Sequence, residues 1–131
     1  MTYSFRAHHV FAEDDGHTTT VGFADDAFDP SQFVILQLAH QFDEQDEQLN
    51  MDKVYIQVGD QFRSKYGGVT AINVRENSLQ LDLDVEAKNV LQVSGNIEVA
   101  LDDKHPDLAA VISALKEISE REGIPFRTLN S

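Results

Sequence analysis

Apolar side chains in this chain return at every second position in short runs, and that period restricts the fold more than any other feature. Tyr3, Phe5, Ala7, His9 and Phe11 alternate with Ser4, Arg6 and His8. Val54, Ile56 and Val58 repeat the pattern, as do Leu79, Leu81 and Leu83, then Ile97, Val99 and Leu101. Successive side chains of a strand point to opposite faces, so each run reads as a half-buried β-strand. Asp15-Gly16 marks a hairpin, since a type I′ turn needs positive φ at both centres, and a return strand follows over residues 18–23. Residues 25–32 read as a loop. Residues 33–39, an apolar run too short for a typical helix, read as a buried strand. A further strand, residues 62–74, is interrupted by Gly67-Gly68, a pair that marks a bulge or a close approach of another backbone.

Two helices are expected after these strands, a short one and a closing one, with one strand between them. Asp84 can cap a short helix ending at Leu91, because its carboxylate accepts from free amides of the first turn. Pro106 suits a first helical position, and Leu108, Val111, Ile112, Leu115 and Ile118 recur at helical spacing. Gly123 fits the position past the helix end, and Pro125 blocks continuation. The expected class is α+β, a mostly antiparallel β-sheet with a short helix and a C-terminal helix packed on one face. At 131 residues, with no linker or repeat, residues 1–131 read as a single domain.

Charge narrows the partners. The chain has 23 acids and 10 bases, a formal charge of −13. Residues 1–60 hold 12 acids against Arg6 and Lys53, a net of −10, and the remainder nets −3. Such a field repels nucleic acid and anionic membranes, whose phosphates call for cations, and attracts a basic protein. It also fits an acidic protein kept dispersed by its charge. There is no cysteine, which removes disulfides, thiolate nucleophiles and cysteine metal sites. The N-terminal residues lack an apolar signal segment and no run approaches transmembrane length, so the expected location is cytoplasmic.

Catalytic and metal signatures are missing from the local pattern. His8 and His9 are adjacent on one expected strand and face opposite sides, and no histidine pair has ligand spacing. No Gly-x-Ser-x-Gly, phosphate-binding glycine loop or EF-hand pattern occurs, so no cofactor is expected. The acidic run from Gln41 to Asp52 suits recognition instead. Phe42, Leu49 and Met51 could anchor it while Asp43, Glu44, Asp46 and Glu47 face a partner. The same run also reads as an ordinary solvated acidic loop.

The run Gln41-Phe-Asp-Glu-Gln-Asp-Glu-Gln-Leu-Asn-Met-Asp52, followed by Tyr55 and by Arg63-Ser-Lys-Tyr-Gly-Gly68, resembles the immunity protein 10 family of bacterial polymorphic-toxin systems. Its sharpest part is Phe42-Asp-Glu-Gln-Asp46 with Tyr66-Gly-Gly68, and the likeness extends from about Tyr3 to Ile118. The resemblance implies a cytoplasmic antidote, encoded beside a toxin gene, that binds the toxin without chemistry of its own. The expected partner-binding residues are Asp43, Glu44, Asp46, Glu47 and Tyr66, with residues 13–17 and 25–31 as the alternative seat of specificity. Tyr66 reads equally as a strand residue packed beside the glycines. Two rival functions stay open. A deep apolar pocket would favour a small-molecule-binding or regulatory domain; a cleft joining His9, His40 or His105 to a buried carboxylate would favour a small hydrolase or isomerase. The oligomeric state is open too.

Overall fold

The alternating runs fold into ten strands, interspersed with three helices, in a computed structural model that describes residues 3–26, 28, 31–41, 44–48, 53–59, 63–102 and 105–128. In chain order they are β1 (Tyr3–Arg6), β2 (His9–Asp14), β3 (Thr18–Ala24), β4 (Phe33–Ala39), α1 (Glu44–Gln48), β5 (Tyr55–Val58), β6 (Ser64–Tyr66), β7 (Val69–Val74), β8 (Ser78–Leu83), α2 (Val85–Leu91), β9 (Ile97–Ala100), α3 (Leu108–Glu122) and β10 (Phe126–Thr128). The class is α+β as expected, with the strands divided between two sheets. The first sheet has the order β1-β9-β8-β7-β10, and the second β2-β3-β4-β5-β6. Every pairing in the second is antiparallel, while in the first β1 lies parallel to β9 and β10 parallel to β7.

The division explains where the alternation misleads. Residues 3–11 form two strands, because the chain passes from one sheet to the other between Ala7 and His8. The Ala7 N–H donates to the Ala100 carbonyl in the first sheet at 2.9 Å, and the His8 N–H to the Ala24 carbonyl in the second at 3.0 Å. The buried residues are Phe5, Ala7 and then Val10, so the period slips by one and Phe5 and His9 no longer share a face. Gly67-Gly68 is a second crossing of this kind. The Gly67 N–H bonds the Val54 carbonyl, and the Gly68 carbonyl accepts from Asp84 N–H. Both glycines have positive φ, and a Cβ on Gly68 would sit 2.6 Å from that of Ala87 in α2. The close neighbour is thus a helix; the one register irregularity nearby lies between Val69 and Ala71.

Other local expectations need smaller corrections. The hairpin forms, but only Gly16 has positive φ, so Asp15-Gly16 is not a type I′ pair. Asp15 instead accepts from the N–H groups of His17 and Thr18 at 2.8 Å each, a side-chain-closed turn. Asp84 caps α2 as expected, its Oδ1 accepting from Ala87 N–H at 2.8 Å. Pro106 precedes α3 rather than opening it, because residues 105–108 close a turn in which Leu108 N–H bonds the His105 carbonyl, and proline's fixed φ suits that turn too. Gly123 ends α3 in the left-handed conformation. Beyond it lies a strand the sequence did not suggest, β10, placed against β7 in register Phe126 with Ile72.

One continuous cluster of buried side chains draws on both sheets, α2 and α3. Val21, Phe23, Leu36 and Ile56 enter it from the second sheet, Leu79, Leu81, Ile97 and Val99 from the first, and Val111, Leu115 and Ile118 from α3. Each sheet therefore has one face in the core and one turned outward.

Candidate partner-binding face

Strand register decides which residues share the outward face of each sheet. On the first sheet, Ser4, Glu98, Gln80, Asn73 and Arg127 lie in one row, with Arg6, Ala100 and Ser78 in the next. Asp82 adds a carboxylate that accepts from Gln80 and Asn73 side-chain amides. This is a polar, mixed-charge outer face of the usual kind.

The second sheet is different. One row across it holds His9, Ala24 and Phe33; the next Phe11, Gly22, Ile35, Gln57 and Ser64; the third Glu13, Thr20, Gln37, Tyr55 and Tyr66. Among these described positions Glu13, at the margin, carries the single permanent charge. Phe11, Phe33, Ile35, Tyr55 and Tyr66 are half-buried and stand outside the core cluster. The Phe11 ring lies over Gly22, so close that a Cβ there would fall 2.2 Å from it. Its ring also meets His9, with centroids 5.6 Å apart. Tyr55 and Tyr66 face each other across β5 and β6 at 5.2 Å, and the Tyr55 hydroxyl donates to Gln57 Oε1 at 2.9 Å. A concavity of about 260 Å³ opens beside Phe11, Phe33 and Ile35, with Asp26 at its edge.

The acids gather at the ends of this sheet. Antiparallel order puts the β2–β3 turn and the β4–β5 connection at one end, and residues 25–32 at the other. Asp14 and His40 join the first two directly, Asp14 Oδ1 to His40 Nε2 at 2.8 Å. Glu13, Asp14, Asp15 and Glu44 are exposed there, and Asp26 at the opposite end, beside Asp25. The Gly16 N–H and then His40 hold the Asp14 carboxyl below the usual carboxylate range; His17 and Thr18 N–H groups do so for Asp15, and the Ser31 hydroxyl for Asp25. These groups stay ionised into mildly acidic solution.

Of the residues singled out from sequence, Tyr66 lies on the outward face of the second sheet, opposite Tyr55. Its expected neighbours, the glycines, lead the chain away to the other sheet. Glu44 opens α1 and is exposed; Asp46 and Glu47 fall within α1, and Asp43 lies outside the described residues. Of the alternative loops, 13–17 closes the β2–β3 turn and 25–31 carries Phe28, 97% exposed. Sequence reasoning missed Phe11, Phe33, Ile35 and Tyr55 as surface candidates. The available signal was in residues 33–36, where Phe33 and Ile35 alternate with Val34 and Leu36 and leave both faces apolar.

The chemistry the histidines could support is limited by their contacts. His40 meets Asp14 and Thr19 Oγ1 (3.4 Å) through the same nitrogen, whereas a relay needs an orienting carboxylate on the opposite one. Asp14 is exposed, so this pair is not the buried carboxylate a cleft would require. His105 Nδ1 accepts from Asp107 N–H at 3.1 Å. Among the described residues no group of three or more His, Asp or Glu is placed to hold a metal, and no helix is long and apolar enough to cross a membrane.

A two-sheet α+β fold with an aromatic face, uncharged among its described positions except for Glu13 at the margin, and exposed acids at the ends of that sheet has the surface of a protein-binding module. The family model of immunity protein 10 matches residues 5–109, from β1 to the first turn of α3, and the chain belongs to that family. Neither the curated proteins nor the solved structures provide a match. Most of α3, with its core residues Val111, Leu115 and Ile118, and all of β10 lie beyond the matched span.

Proposed function

We propose that this chain is an antidote that binds a cognate bacterial toxin domain in the cytoplasm and blocks it by occupying its surface. Membership of the immunity protein 10 family carries this reading. The formal charge of −13, concentrated in residues 1–60, supports a basic toxin, because opposite fields speed encounter and suppress wrong partners. Inhibition by coverage asks for no chemistry from the antidote.

Growth rescue tests it. Each toxin domain encoded immediately upstream is expressed with and without this chain, and the expected outcome is growth only in its presence. Neutralising Asp43, Glu44, Asp46 and Glu47 together then asks whether α1 and its flank take part. Loss of rescue in a folded variant places the contact there, and retained rescue places it elsewhere. If no such domain is toxic, or none is neutralised, the antidote reading is wrong.

A further inference from the structure

We propose that the outward face of the second sheet is where the toxin docks, and that it receives a protein patch with an apolar or aromatic centre ringed by lysine and arginine. The inference rests on the antidote reading and adds to it the surface and the chemistry of its partner. It begins from a contrast within one molecule. Both sheets have five strands and both turn one face outward, yet the first displays Arg6, Glu98, Asp82 and Arg127 while the second displays Phe11, Phe33, Ile35, Tyr55 and Tyr66. Twelve of the 23 acids lie in residues 1–60, the stretch that builds most of the second sheet, and that face still has only Glu13 among its described positions. Among the described residues the acids of this stretch stand at the ends of the sheet, Glu13, Asp14, Asp15 and Glu44 at one and Asp25 and Asp26 at the other.

A depleted, aromatic centre inside a charged margin is the arrangement of a protein-protein interface, in which tyrosines supply area and the rim excludes water. Phe28, an exposed apolar side chain, has its N–H bonded to Oδ1 of Asp26, which lines the 260 Å³ concavity. The sign of the margin selects the occupant. A second copy of this chain in a two-fold pair would set acids against acids, since such an interface is self-facing. Nucleic acid could stack on the rings, but its phosphates would meet Glu13, Asp14, Asp15, Asp25 and Asp26. A basic-rimmed protein patch satisfies both centre and margin.

Gln37 and Gln80 sit near the middle of the two outward faces and make a matched pair of probes. The Gln37→Arg and Gln80→Arg variants would be tested for affinity and growth rescue against the neutralised upstream toxin domain, with urea midpoints to verify folding. The expected result is that Q37R weakens binding by at least about a hundredfold while Q80R stays within about threefold. Folded Q37R that binds and rescues as the unaltered chain does would sink the docking face and leave the antidote reading standing. So would an equal loss in Q80R, or a homodimer in light scattering that Q37R dissolves. An unaltered chain that binds no toxin domain but captures single-stranded oligonucleotides overturns both. Should Q37R not fold, hydroxyl-radical footprinting of the unaltered complex decides. Protection of Phe11, Tyr55 and Tyr66 supports the proposal, and protection confined to the first sheet refutes it.

Discussion

Gly68 and Gly16 both hold positive φ, but one has α2 against it and the other has nothing within 4 Å. Gly16→Ala is therefore expected to cost about 1 kcal/mol, the strain of a left-handed alanine alone. Gly68→Ala adds a clash with the Ala87 methyl, which the helix must move to relieve, and a loss of roughly 2–4 kcal/mol is expected in urea unfolding. Asp84→Ala, by removing the acceptor for Ala87 N–H, should cost about 1 kcal/mol. Asp84 was legible from sequence because a cap is local. The outward role of Phe11 and Phe33 was not, because alternation separates two faces without saying which one is inside when both are apolar. The pairing of Phe11 with Gly22 and Phe33 with Ala24 sets the register, and the burial of Val10, Phe23 and Val34 on the opposite face makes theirs the outward one.

Elements were legible where one strand pairs with the next, as in β2–β3 and β7–β8. They were misread where the chain changes sheets, at Ala7-His8 and Gly67-Gly68, since nothing local says that a strand's second half has a different partner. β10 escaped notice because a three-residue strand in a parallel pair owes its existence to β7, more than fifty residues earlier. The acidic turn of the β2–β3 hairpin carries a pH dependence whose sign follows from its bonds. The folded Asp15 carboxyl titrates below its unfolded value, so its contribution is complete above about pH 4 and is lost as the pH falls through the folded value. Asp15→Asn should be less stable than the unaltered chain at neutral pH. The gap between their melting temperatures should close as the pH is lowered past about 4, and a gap that widens would refute the assignment.

For the whole molecule, an acidic field around an uncharged centre separates the two rates of binding. Raising the ionic strength from about 0.02 to 0.3 M should slow association with a basic toxin about tenfold or more and change dissociation less than about twofold, as stopped-flow mixing would show. The acidic excess that motivates this was plain in the composition; the placement of Glu13, Asp14, Asp15, Asp25 and Asp26 at the ends of one sheet depended on the register. The parallel pairing of Tyr3 with Ile97 has a consequence for synthesis. The five strands of the second sheet are neighbours in sequence order and close as successive hairpins, whereas β1 must wait for a partner made roughly ninety residues later. At about 5–20 residues per second a ribosome imposes a delay of about 5–20 seconds before that strand can be paired. Among the strands, one of the earliest to emerge is among the last to be secured.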